Sequence, residues 1–296
     1  MLQENRASGH GSARRSGRPP RRLTAAVAGA VVVAVAVGAG VVARDHSNRG
    51  AAVPRTADKP ATAANITPPA SWKLTFDAGF SGTRLDGHVW ATCFPWATDG
   101  CTNYGNNGED KEWYQASQVQ VSDGALHLVA QREPTAGRAQ NGAAKEYACR
   151  SGMVTTFPGF HFQYGFVQVV AKIPFSKGLW PGLWLAASDQ QWPPEIDLLE
   201  HWGTDADGKV YLHPVAGPRL GGPVSMPGLA DGWHTFTIDW TQSSLTWYYD
   251  GIQVLSTTRG VPQQSMYFIA NLADADATTG GCSGQFLVKS VKVWQP

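Results

Sequence analysis

The sequence predicts an all-β fold, a two-sheet sandwich, and three observations carry that expectation. From Ser71 onwards, short runs rich in β-branched and aromatic residues alternate with Gly, Pro, Asn and Asp. More than ten such runs follow one another, and no stretch of this body shows a convincing helical period. Asp123-Gly124 and Asp250-Gly251 fall between alternating runs, where tight hairpin turns belong.

The N-terminal part differs from the body. Residues 1–49 carry eight Arg against Glu4 and Asp45, a balance of +6, which leaves the remainder at −5. A mildly acidic body gives no support for nucleic-acid binding. Residues 1–22 read as a basic n-region that would stay cytoplasmic, with Arg14, Arg15, Arg18, Arg21 and Arg22 ahead of an apolar run. That run, Leu23–Ala43, has 21 residues and no charge, enough for a membrane span of ~20 residues. It reads as a signal peptide or as an uncleaved signal anchor, and both place the body outside the cytoplasm, secreted or membrane-tethered. Residues 44–70, rich in Ala, Pro and Thr, read as a flexible linker, so residues 71–296 form the folded domain. Asn65-Ile66-Thr67 matches a glycosylation sequon.

Within the body the expected strands are Trp72–Phe76, Gln118–Val121, Ala125–Gln131, Gly152–Phe157, Gly165–Ile173 and Leu183–Ser188. After an acidic strand come Lys209–His213, Trp233–Trp240, Leu245–Tyr249, Ile252–Thr257, Met266–Leu272 and Phe286–Trp294. Four cysteines, Cys93, Cys101, Cys149 and Cys282, lie in this exported part. An even number without a Cys-x-x-Cys spacing favours two disulfides over metal ligation. Three pairings are open, and Cys93–Cys101 with Cys149–Cys282 is preferred.

The acidic strand is the stretch with chemistry in it. Glu195-Ile196-Asp197-Leu198-Leu199-Glu200 places three carboxylates among apolar residues. On a helix Glu195 and Glu200 would diverge by roughly 140°. On a strand Glu195 and Asp197 share a face, and Glu200 joins them only if a β-bulge absorbs one residue between Asp197 and Glu200. Three acids on one face repel one another, an arrangement rarely kept for stability alone. Its use would be acid–base and nucleophilic work on an acetal.

The order of landmarks around this strand resembles glycoside hydrolase family 16, over about residues 72–296. Asp123-Gly124-Ala125-Leu126-His127-Leu128, Ser151-Gly152 and Tyr164-Gly165-Phe166-Val167-Gln168-Val169 come first. Gly178-Leu179-Trp180-Pro181-Gly182-Leu183-Trp184, the acidic motif, Trp233–Trp240, Trp247–Gly251 and the closing Val291–Gln295 follow in order. The acidic motif is the longer, bulged variant typical of laminarinase-like members. The resemblance implies a concanavalin-like jelly-roll sandwich with a concave substrate cleft. It implies a retaining endo-β-glycosidase of polysaccharide, β-1,3-glucan or mixed-linkage β-glucan first, needing no cofactor and expected to be a monomer. Glu195 would match the nucleophile, Glu200 the general acid/base with a raised pKa, and Asp197 the assisting aspartate.

All 12 tryptophans lie in the body, and pyranose faces suit aromatic walls. Trp180, Trp184 and Trp202, with Trp113 and Tyr114, are the candidate substrate contacts, core packing being the alternative for each. Trp240 and Trp294 read as core. His213 matches a family position near the leaving-group side, and Asn271 a late-strand asparagine. The chain also departs from its relatives. Met153 stands where many have Arg, and Gly79 and Lys289 occupy what resemble calcium-ligand positions, so no metal of that kind is expected. The Gly- and Asn-rich Cys93–Asn107 region would reshape one end of the cleft. An envelope transglycosylase using the same intermediate and a non-catalytic carbohydrate-binding protein are the competing functions; the latter would lose one of the acids.

Overall fold

The computed structural model describes residues 66–97, 101–102, 111–139, 141–204, 207–274 and 281–296. The basic segment, the apolar run Leu23–Ala43, nearly all of the linker and the sequon's Asn65 lie outside these residues. Among the described residues no helix is long and apolar enough to cross a membrane.

The strands come in chain order. β1 (Lys73–Ala78), β2 (Glu112–Tyr114), β3 (Val119–Ser122), β4 (Ala125–Gln131), β5 (Thr135–Arg138) and β6 (Ala144–Tyr147) open the domain. Next are β7 (Cys149–Ser151), β8 (Met153–Thr155), β9 (Gly165–Lys172), β10 (Leu179–Ala187), β11 (Glu195–Glu200) and β12 (Gly208–His213). The last are β13 (Leu220–Val224), β14 (His234–Trp240), β15 (Leu245–Tyr249), β16 (Ile252–Thr257), β17 (Met266–Asp274) and β18 (Ser283–Gln295). One sheet runs β16-β15-β14-β9-β18-β4-β7-β2, with β1 on β18 and β3 on β4. The other runs β13-β12-β11-β10-β17-β8, and β5 and β6 form a separate hairpin. The expected two-sheet sandwich is what forms.

Both predicted hairpin turns are present. Asp123 and Gly124 have φ of 52° and 71°, and Asp250 and Gly251 have 45° and 80°. Positive φ at both central residues is the primed turn that matches strand twist, and it demands Asp-Gly or Asn-Gly. The Asp250 carboxylate is used twice more, accepting from the Thr235 N–H at 2.8 Å and lying 2.8 Å from His234 Nδ1.

Alternation along the strands builds the core. Val167, Val169, Phe236, Ile238, Trp240 and Trp247 from the larger sheet meet Leu183, Leu185, Ile196, Leu199, Leu212 and Phe268 from the smaller one, all buried. Trp240 is core as expected, its indole N–H donating to the Pro262 carbonyl at 3.1 Å. Trp294 is not. It stands opposite Phe166 on the solvent side of the larger sheet, while its neighbour Val293 points into the core.

One disulfide forms as preferred, Cys149–Cys282, with Cα atoms 5.6 Å apart. The other does not. Cys93 and Cys101 are not joined by a disulfide; their thiols are hydrogen-bonded to each other, with the Cys101 sulfur also 3.8 Å from the Thr92 carbonyl. That bond holds the Cys93 thiol below its ordinary value, whereas burial pushes the Cys101 thiol up.

Candidate active site

The site is built on β11, between β10 and β12. Glu195 pairs with Ala186 and His213, and Asp197 with Trp184 and Tyr211. Between Asp197 and Glu200 the register slips against both neighbours, so that Glu200 faces Gly182 on one side and Lys209 on the other. This is the expected bulge. It turns Glu200 back to the face of Glu195 and Asp197, while Ile196, Leu198 and Leu199 are buried on the core side. A bulge disturbs the hydrogen-bond ladder, and here the other sheet contributes to repairing it. The Trp247 indole N–H reaches across the core and donates to the Asp197 carbonyl at 2.8 Å.

Each carboxylate has its own surroundings. Trp180 Nε1 donates to Glu200 Oε1 at 3.1 Å. The Trp192 side chain hydrogen-bonds Glu195, and His213 Nε2 lies 3.4 Å from Glu195 and 3.7 Å from Asp197. Asp197 is 4% exposed, and its buried Oδ2 makes no hydrogen bond. Burial dominates the electrostatics. It pushes Glu195 up to about 8, with repulsion from Glu200 adding and the Trp192 bond opposing. Asp197 is raised well above the usual carboxylate range by burial and then by both glutamates. Glu200 is raised by burial against the Trp180 bond and the charges of Arg219 and Lys209. His213 is lowered by burial and by Arg219, so it stands neutral beside the acids. All three carboxyl groups are thus shifted towards the protonated form, the direction that a group able to deliver a proton needs.

The structure gathers most of the sequence-predicted contacts here. Trp180 packs edge-on against Trp202 at 5.6 Å, and Trp202 is half exposed with the Lys209 ammonium 4.7 Å over its ring. Trp184 Nε1 donates to Asn271 Oδ1 at 2.8 Å, and Asn271 Nδ2 donates to the Tyr114 hydroxyl at 3.0 Å. Gly182 makes room for this chain, because a Cβ there would come within 2.8 Å of Asn271 Oδ1. Tyr114 is buried and supports Asn271 from behind.

Trp113 is a correction. Its ring packs 5.0 Å from Tyr147, under Gly137 of β5, where even a methyl group would collide with the indole. It seats the β5–β6 hairpin and does not line the site. Three residues join the site that the sequence did not mark for it. Trp192, 67% exposed, lies 5.6 Å from His213; Arg219 sits over the Tyr211 ring at 4.3 Å; and Lys209 lies opposite Glu200. Only Trp192 carried a signal, being three residues before Glu195 in a Trp-Pro-Pro run.

Two groups of described residues bring three ligand-type atoms within 4.8 Å of one another. One is Glu195, Asp197 and His213 themselves. The other is Asp274 with Cys149 and Cys282, whose sulfurs are committed to their disulfide. Lys289, at the calcium-like position, reaches over the Trp233 ring.

Comparison with known proteins places this arrangement. The family model for glycosyl hydrolases family 16 matches residues 107–285. An endo-1,3-1,4-beta-glycanase of Rhizobium meliloti is 30% identical over 212 residues, covering 66% of this chain and 43% of that protein. The chain therefore spans under half the length of that relative. The laminarinase catalytic domain of Thermotoga petrophila superposes with a TM-score of 0.64 at 22% identity, over 76% of this chain and 98% of that one. The laminarinase of Flavobacterium sp. UMI-01 gives 0.63 at 26% identity, over 75% of this chain and all (100%) of that one. With the family model matching over most of the domain and the bulged carboxylate strand in place, the chain belongs to glycosyl hydrolase family 16.

Proposed function

We propose that this protein is an exported retaining endo-β-glycosidase that hydrolyses β-1,3-glucan or a mixed-linkage β-glucan. The observation that carries the reading is the bulge in β11, which puts three carboxyl groups, all with raised pKa, on one face between tryptophan side chains. A binding protein has no use for such a costly cluster.

Glu200 enters the reaction protonated, its O–H directed to the glycosidic oxygen while Trp180 fixes the carboxyl plane. Glu195 must be ionised to attack. Asp197 is the most deeply buried of the three and the one that burial most disfavours ionising. Its Oδ2, without a hydrogen-bond partner at rest, is the atom that would carry a proton and donate it in a hydrogen bond to the Glu195 carboxylate as substrate binds. That donation and the Trp192 bond favour the charged nucleophile. Glu195 then forms a bond to the anomeric carbon as the bond to the leaving oxygen breaks, and Glu200 transfers its proton to that oxygen. Esterification removes one negative charge from the cluster, so Glu200 can remain ionised and take a proton from the incoming water. Water's oxygen displaces Glu195, giving retained configuration. The chain of Trp184, Asn271 and Tyr114 holds one wall of the site rigid during these steps.

Export is supported by the basic segment and the apolar run at the N-terminus. The substrate class is supported by the relatives' names and by the exposed aromatic rings of Trp192 and Trp202. Reducing-end release over laminarin, barley β-glucan, agarose, carrageenan and xyloglucan tests the reading, with Glu195→Gln as the blank. Cleavage of laminarin or barley β-glucan, abolished by the substitution, is expected. Silence across the panel would refute it, and transfer to an added oligosaccharide without hydrolysis would point to a transglycosylase.

A further inference from the structure

The outer face of the six-stranded sheet is not open across its whole width. Over β11 to β13 it carries Glu195, Asp197, Glu200 and their polar neighbours. Over β10, β17 and β8 the register puts Trp184, Ile269 and Thr155 in one row and Asn271 beside Met153 in the next. Met153, Tyr267 and Ile269 on that face are completely buried, at 0% exposure. They are covered by an apolar cluster contributed largely by the segment after Cys93, with Phe94 at its centre and Trp96 packed at its edge. Trp96 stacks on Phe94 at 4.8 Å and lies 6.3 Å from Trp184. Unlike Phe94, which is 2% exposed, Trp96 keeps part of its surface open.

This wall has a defined distance from the chemistry. Trp184 is the direct cross-strand partner of Asp197, one strand spacing of about 4.8 Å away. A pyranose unit is about as long as one such spacing. The Trp96 ring, 6.3 Å from that of Trp184, lies within about two pyranose lengths of the carboxylates. Among the described residues, Met153, Tyr267 and Ile269 on the β17–β8 side of this face are closed to solvent.

We propose that Trp96 closes the row of sugar subsites on the β17 side, its ring covering the last pyranose held there, so that this wall sets the product length on that side of the cut. The proposal rests on the glucanase reading above and deepens it by naming a specificity-determining residue. An indole face suits the apolar C–H face of a pyranose, and a platform already stacked on Phe94 loses little freedom on binding.

The test uses the full chain as wild type, Trp96→Ala and Trp96→Phe, digesting long β-1,3-gluco-oligosaccharides labelled at the reducing end. Labelled and unlabelled fragments are sized separately. Wild type is expected to give a narrow length distribution on one side of the cut and a broad one on the other. Trp96→Ala should broaden the narrow side and raise KM on oligosaccharides about fivefold or more, with a smaller change in kcat. Trp96→Phe should keep the narrow pattern. A wild-type digest broad on both sides would overturn the proposal without any variant. So would a folded Trp96→Ala with the wild-type pattern and KM. A wild type inactive on every β-glucan would overturn the glucanase reading, and this proposal with it.

Discussion

Replacing Glu195 by Gln should stabilise the protein, and the gain should grow with pH. Glu195 has its folded-state pKa raised from the ordinary 4.5 to about 8, first by burial and then by Glu200. The folded state therefore binds this proton more tightly than the unfolded chain does. The resulting stability is complete below about pH 4.5 and is lost progressively as pH rises to about 8, where ionised Glu195 must be held in a buried cluster. At about 1.4 kcal/mol per pH unit the gap sets a ceiling of about 5 kcal/mol. Glu195 shares its repulsion with two other acids, and its side chain keeps 18% exposure, so about 2 kcal/mol is the realistic gain above pH 8. For a domain of this size that is a rise in Tm of about 4–8 °C. Gln keeps the shape and still accepts a hydrogen bond from Trp192, so little else changes. Scanning calorimetry of both proteins from about pH 4 to pH 9 reads the difference directly. Tm values that coincide near pH 4 and diverge in favour of Glu195→Gln by pH 9 are expected. A difference that is constant with pH, or a variant less stable at pH 9, would refute the reasoning.

Two further outcomes follow from the same geometry. Trp180→Phe removes the N–H that favours ionised Glu200, so the general acid should titrate higher. The alkaline limb of the kcat/KM profile should move to higher pH, and a limb that stays put or moves down would contradict the assigned role. Gly182→Ala would press a methyl group against Asn271 and the Trp184 ring, breaking their hydrogen bond. A loss of about tenfold in kcat/KM with the far-ultraviolet circular dichroism unchanged is expected, measured on laminarin.

The carboxylate strand was legible because parity is strict. Glu195 and Asp197 agree at a period of two and Glu200 does not, so a shared face required a bulge, and the bulge is there. The two Asp-Gly turns were legible for a similar reason, since few residue pairs accept positive φ twice. The same parity rule would have corrected Trp113. It is adjacent to Tyr114 on β2, so the two side chains must leave opposite faces, and only Tyr114 reaches Asn271. Strand β13 was hidden because Leu220-Gly221-Gly222-Pro223-Val224 contains residues that normally end strands. It is tolerated at the sheet's edge, where one side of the strand needs no partner. β2, β7 and the β5–β6 hairpin are too short for alternation to show. Arg219 could not be found at all from sequence, because its relation to Tyr211 exists only once β13 folds back on β12. Cys93 and Cys101 show the limit of counting cysteines, since spacing cannot tell neighbouring thiols from a bond.

The most direct test of the central claim is to trap the covalent intermediate. Incubating the protein with an activated 2-deoxy-2-fluoro β-glucosyl oligosaccharide slows the second step more than the first, and peptide mass analysis then locates the sugar. The account predicts one sugar adduct per chain, on the peptide carrying Glu195 and attached to that residue. An adduct on Asp197 or Glu200 would contradict it, as would turnover with inverted configuration at the anomeric carbon.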